Sequence, residues 1–80
     1  MAKILFFAIA SEITGINEIN FQIKNEINVD KLWLELSFLF PKLIESKNNF
    51  RVAVDMVYVK NDFIVNDNSL IAIIPPVSGG

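Results

Sequence analysis

The sequence predicts a small α+β domain: a sheet with one main helix packed on one face, and a C-terminal tail that leaves the body. Three observations carry this. Apolar, strand-like runs stand near both ends of the chain, Lys3 to Ala10 and Leu70 to Ile74. Between them, the apolar residues from Val29 to Phe40 recur at the three-and-four spacing of a helix. Pro75-Pro76 then closes the last run, because residues that lack a backbone N–H and hold φ near −65° cannot extend a sheet ladder. Eighty residues hold one domain. Its expected division is a folded body over residues 1–74 and a flexible tail over 75–80.

The first strand is expected from Lys3 to Ala10. Period-two alternation sends Ile4, Phe6 and Ala8 to one face and Leu5, Phe7 and Ile9 to the other. Both faces are apolar, so this strand is central in its sheet or is covered on its second side. Gly15 marks a turn. Ile19, Phe21 and Ile23 alternate with Asn20, Gln22 and Lys24, the pattern of a strand with one wet face, and the two strands form a hairpin.

The helix follows. Asn28 is its N-cap, since an Asn side-chain oxygen accepts from the N–H groups of the first turn. Asp30 in that turn suits the positive end of the helix dipole. Ile27 and Leu32 occupy the positions of a hydrophobic staple. Val29, Leu32, Trp33, Leu36, Leu39 and Phe40 form the core face, and Pro41 ends or kinks the helix. Leu34 and Phe38 point elsewhere, either as a second contact surface or packed under the following loop. Lys42 to Asn49 reads as polar linker with room for another helical turn at its start. Arg51 to Val54 is a strand, Asp55 a tight bend, and Met56 to Val59 a short further strand. Asn61-Asp62 and Asn66-Asp67-Asn68 are turns, and Leu70 to Ile74 is the last strand.

Composition excludes several functions. The net charge is −2 and the pI about 4.9, with no cluster of Lys and Arg, so a nucleic-acid partner is not expected. There is no cysteine and no histidine, which removes disulfides, thiolate chemistry, the usual general base and the commonest metal ligands; no metal site is expected. Met1-Ala2-Lys3, the apolar run and Ala8-Ile9-Ala10 imitate a secretory leader, but the pattern is spent within ten residues where leaders run about 15–30. No apolar run approaches the roughly 18 residues of a membrane span. The expected compartment is the cytoplasm. Hydrophobic residues make up 52% of the chain and the mean hydropathy is +0.44. A domain of this size cannot bury all of that, so apolar surface is expected to meet a partner.

The last six residues are Pro75-Pro76-Val77-Ser78-Gly79-Gly80. The stiff proline joint directs the tail away from the body. Gly79 and Gly80 lack a Cβ, so the tail is thin enough to thread a narrow channel, and it presents a glycine carboxylate.

Leu5-Phe6-Phe7-Ala8 with Glu12 and Gly15, the segment Ala53-Val54-Asp55, and Asp67 followed by Ala72 and the Pro-Pro-Val-Ser-Gly-Gly ending resemble the small, sulfur-carrying subunit of molybdopterin synthase. The resemblance covers essentially the whole chain, and its ending is the most specific part. It implies the ubiquitin-like β-grasp fold, with a mixed sheet. Three departures stand beside it. Ser11 replaces the family's usual Arg, Asp55 replaces the Asn of Ala-Val-Asn, and Asp67-Asn68-Ser69-Leu70 replaces an Asp-Gly-Asp turn and its following acid. Asn68 is expected to take over the glycine's positive φ.

The resemblance further implies a chemistry. The Gly80 carboxylate is adenylated by an ATP-dependent activating enzyme of the ubiquitin-activating type, then converted to a thiocarboxylate. Pro75, Pro76, Val77, Ser78 and Gly79 thread into the large synthase subunit, in a heterotetramer, and the sulfur passes to cyclic pyranopterin monophosphate. By position Phe7, Tyr58 and Ile74 match a hydrophobic docking patch. On this reading the chain binds no cofactor; it is the non-catalytic sulfur donor of a sulfurtransferase complex. Rival readings are a carrier for thiamine synthesis or tRNA thiolation, a ubiquitin-like modifier forming isopeptide bonds, and a plain interaction domain with an inert tail.

Overall fold

A computed structural model of the chain describes residues 1–75. Its elements run β1 (Ala2–Phe6), α1 (Ile9–Thr14), β2 (Glu18–Phe21), β3 (Ile27–Asn28), α2 (Val29–Leu39), α3 (Pro41–Glu45), a 3₁₀ turn (Lys47–Asn49), β4 (Arg51–Val54), β5 (Val57–Val59), β6 (Ile64–Val65) and β7 (Leu70–Ile74). Five strands form a mixed sheet in the order β2-β1-β7-β4-β5, and β3 and β6 pair separately. The two apolar runs near the chain ends lie side by side and parallel at the centre, Ile4 opposite Ile71 and Phe6 opposite Ile73. This is the β-grasp plan.

Alternation along the central strands sorts the two faces. Ile4, Ile71 and Ile73 are fully buried on the inner face, with Phe6, Val52 and Val54 beside them. Val29, Leu32, Trp33 and Leu36 of α2 close over this face. The cap at Asn28 is as expected: the Lys31 N–H donates to its Oδ1 at 2.8 Å.

Four local readings are corrected. The first strand stops at Phe6, and Ile9–Thr14 is a helix that ends at Gly15 with φ 79°. The joint is a type II′-like turn with Ala8 at φ 50°, ψ −125°, closed by the Ala10 N–H donating to the Phe7 carbonyl at 3.0 Å. β1 and β2 are still antiparallel neighbours, Ala2 opposite Phe21 and Leu5 opposite Glu18, but α1 joins them rather than a tight turn. Second, Leu39 is 54% exposed and outside the core, whereas Phe40 turns in and packs edge-on to Phe6 with ring centroids 5.5 Å apart. Third, the stretch expected as polar linker from Lys42 buries Leu43 completely; Pro41 ends α2 as expected and starts α3, the further helical turn, because its fixed φ suits the first position of a helix. Fourth, Asn68 does not take a positive φ. Its turn is closed by the Ser69 N–H donating to the Asn66 carbonyl at 3.0 Å, and side chains support it: the Asn68 N–H donates to Asn66 Oδ1 at 2.8 Å, and the Asn66 N–H donates to Ser69 Oγ at 3.0 Å.

Candidate docking face and tail root

Among the described residues, no helix packs on the outer face of the sheet. Leu70, Ala72 and Ile74 project from β7 between Leu5 and Phe7 on one side and Ala53 and Tyr58 on the other. Together with Met56 they line a shallow apolar depression of about 300 Å³. Phe7 is 46% exposed and Tyr58 54%, while Ile74 is half-buried. The structure thus brings the three residues matched to a docking patch onto one surface. Arg51, which faces Ile74 in register, places its guanidinium 5.6 Å from the centroid of the Tyr58 ring.

This face leads to the tail. β7 ends at Ile74, and Pro75 is half-buried beside it. Pro76, Val77, Ser78, Gly79 and Gly80 lie outside the described residues.

Backbone strain is concentrated around the depression. Among the described residues, the non-glycine positions with positive φ are Ala8 (50°), Asp55 (50°) and Met56 (73°). Ala8 follows Phe7 directly and sets where that ring emerges; the Ser11 N–H and hydroxyl both donate to its carbonyl, at 3.0 and 2.8 Å. Ser11 therefore has a local structural role in this chain. Asp55 and Met56 are the central pair of the two-residue loop between Val54 and Val57, and positive φ at both is the signature of a type I′ turn. Glycine is the default at the second position. Methionine there costs about 1 kcal/mol.

Asp55 braces that turn. Its N–H donates to the Leu70 carbonyl at 2.8 Å, and its Oδ1 accepts from the Leu70 N–H at 3.1 Å. The side chain acts as an acceptor, so replacing the family's Asn by Asp leaves this contact in place. Met56 itself is 90% exposed and gives the fold little packing. Sequence reasoning passed over it; the only signal was a non-glycine residue at a predicted tight bend.

Asp67 fixes the start of β7 from the other side. Its Oδ1 accepts from the Ile23 N–H at 2.9 Å, and its Oδ2 lies 3.2 Å from the Met1 ammonium. These two contacts, the backbone hydrogen bond foremost, hold its carboxyl below the ordinary carboxylate range. Among the described residues, no group of three or more His, Cys, Asp or Glu side chains is placed to hold a metal ion. Nor is any helix among them long and apolar enough to cross a membrane.

Comparison with known proteins fits this geometry. Residues 4–80 match the ThiS family. The molybdopterin synthase sulfur carrier subunit of Homo sapiens is 33% identical over 81 residues, covering 98% of this chain and 92% of that protein. The protein of the same description from Arabidopsis thaliana is 35% identical over 78 residues, covering 98% and 81%. Among solved structures, small archaeal modifier protein 1 of Haloferax volcanii superposes with a TM-score of 0.84 at 15% identity, covering 95% of this chain and 97% of that one. The last comparison speaks to the fold alone. The family match across residues 4–80 and the identity to these two relatives make this chain a member of the ThiS family of ubiquitin-like β-grasp proteins.

Proposed function

We propose that this chain is the sulfur carrier subunit of a molybdopterin synthase, with a body of residues 1–74 that docks and a tail of residues 75–80 that carries the reactive group. The supporting observation is the whole-length likeness to the human and plant carrier subunits, in a chain whose Pro-Pro-Val-Ser-Gly-Gly ending follows directly from an uncovered apolar face. A chain without cysteine or histidine has few side chains for sulfur or proton chemistry. The terminal carboxylate of Gly80 supplies the reactive group instead.

In the first step a Gly80 carboxylate oxygen attacks the α-phosphorus of ATP, and pyrophosphate leaves. The acyl adenylate so formed has AMP as a good leaving group. A persulfide donor then attacks the acyl carbon through its terminal sulfur and AMP departs; a thiol reduces the S–S bond of the acyl disulfide so formed, leaving the thiocarboxylate and a disulfide. The activating enzyme supplies the ATP site. The large synthase subunit then takes the tail, the thiocarboxylate sulfur bonds to a carbon of cyclic pyranopterin monophosphate, and water cleaves the resulting thioester to return the Gly80 carboxylate; two such transfers build the dithiolene. Phe7, Tyr58 and Ile74 anchor the body on both partners in turn.

The test is incubation of the chain with the activating enzyme, ATP, a persulfide sulfur donor and a reducing thiol, followed by intact-mass measurement and addition of the large subunit and pterin substrate. The expected product has one oxygen replaced by sulfur at Gly80 and yields dithiolene in the second stage. An unchanged mass sinks the carrier reading. Chains joined to lysines of other proteins indicate a modifier instead.

A further inference from the structure

We infer that the notch between the 3₁₀ turn and the edge where β4 begins and β5 ends is a carboxylate socket, which takes an aspartate or glutamate side chain from a protein seated on the outer face. The inference rests on the docking reading above and adds a polar contact to its apolar patch. The socket belongs to the face itself, which both partners share.

The notch measures about 220 Å³, and Lys47, Asn48, Arg51, Tyr58 and Asn61 line it together with the buried Trp33. None of the residues that line it is acidic, in a chain whose net charge is −2. Among the described residues Arg51 has no ion-pair partner. Lys47 has only Asp30, with 3.9 Å between Nζ and Oδ1, the outer limit of such a contact. Two cations lining one small cavity repel each other, and an anion between them relieves this. Asn48 and Asn61 add side-chain amides able to donate to its oxygens.

Two features favour a carboxylate over a phosphate. Asp30 offsets part of the Lys47 charge, so what remains matches a single negative charge. The first-turn N–H groups of α2, which would suit a phosphate, are also taken. Val29 donates to the Phe63 carbonyl and Asp30 to the Asn61 carbonyl, both at 3.0 Å, and Lys31 donates to Asn28 Oδ1. The source of the carboxylate follows from position. Tyr58 lines both the apolar depression and the notch, and Arg51 stands in register with Ile74, its guanidinium 5.6 Å from the centroid of the Tyr58 ring. A protein that covers Phe7, Tyr58 and Ile74 therefore borders the notch. An apolar centre with a polar rim is the ordinary make-up of a protein interface, and arginine is enriched there.

Arg51→Gln removes the charge and Arg51→Glu reverses it. Arg51 is exposed, so both variants should melt at the temperature of the unaltered chain. Binding is measured by titration calorimetry against the activating enzyme and against the large subunit, at low and at high salt. With at least one of them, Arg51→Gln should weaken binding about tenfold at low salt and Arg51→Glu by more, and the gap should narrow at high salt. Lys47→Gln should act in the same direction, less strongly. If both Arg51 variants bind both proteins as the unaltered chain does while Phe7→Ser weakens those complexes, the socket is overturned and the docking face stands. If Phe7→Ser also leaves binding intact, or the unaltered chain forms no complex, the docking reading fails and this inference with it. Arg51 variants that melt well below the unaltered chain assign the residue to the fold and overturn the proposal. Inorganic phosphate is also titrated into the isolated chain at constant ionic strength, followed by the side-chain amide resonances of Asn48 and Asn61. Saturable binding there, with partner affinities unmoved by the Arg51 variants, marks a small-anion site and overturns a protein side chain as the occupant.

Discussion

Asp55 and Leu70 hold each other through both main chain and side chain. The Asp55 N–H donates to the Leu70 carbonyl at 2.8 Å, and the Leu70 N–H donates to Asp55 Oδ1 at 3.1 Å. This ties the tip of the β4–β5 hairpin to the first residue of the strand that ends at the tail. Asp55→Ala loses the acceptor and puts a Cβ-bearing residue without a polar side chain at φ 50°. It should lower stability by about 1–2 kcal/mol in denaturant titration. Asp55→Asn retains an acceptor and should be nearly silent. Equal losses in both variants would mean that the charge, not the hydrogen bond, matters there.

Phe7 tests the outer face. Its ring is half-exposed because the strained turn at Ala8 ends β1 and turns the chain into α1. Phe7→Ser should keep the fold and weaken binding to the activating enzyme and the large subunit, by about 2 kcal/mol if the ring is a central anchor. Circular dichroism checks the fold and titration calorimetry the binding. Unfolding of the variant would place Phe7 in the core.

Asp67 predicts an acid limb. Its carboxyl titrates below the 3.8 ordinary for the group, because the Ile23 N–H and then the Met1 ammonium favour the charged form. A carboxyl depressed in the folded state stabilises the fold fully above its unfolded value. That contribution is lost as pH falls through the lower folded value. Asp67→Asn should therefore remove part of the pH dependence of melting below about pH 4 and leave the remainder intact. Identical acid profiles for the two proteins would contradict the assignment. The group is solvent-accessible, so added salt should shrink the ammonium part of the effect.

Much of this architecture is legible in the chain. Asn28 announces the helix that its side chain then caps, and Leu70 to Ile74 announces a strand that stops before two prolines. The apolar excess announces an uncovered face. What escapes has identifiable causes. The run from Ile4 to Ile9 is apolar throughout, and no glycine marks Ala8, so the break into α1 leaves no trace in the pattern. β3 and β6 are two residues each, too short for any periodicity, and exist because Ile27 meets Val65 in space. Leu39 follows the helical spacing of the core face, but α2 ends beside it and Phe40 takes the inward place. Of the candidate site, Phe7, Tyr58 and Ile74 come from family resemblance, with strand parity agreeing for Phe7 and Ile74. Met56 needed the backbone angles.

The central claim is that the working group is the carboxylate of Gly80. Adding one alanine after Gly80 touches no residue of the core, yet it moves the carboxylate by about 3.5 Å along an extended chain. Misplacement of even about 1 Å can cost a hundredfold where reacting groups must be positioned. The decisive measurement is dithiolene formation by the alanine-extended chain, supplied with the activating enzyme, ATP, sulfur donor, large subunit and pterin substrate, beside the unaltered chain. The extended protein should melt at the same temperature as the unaltered one and form no product. Full activity from it would contradict the carrier mechanism and leave a β-grasp domain that acts through its apolar face alone.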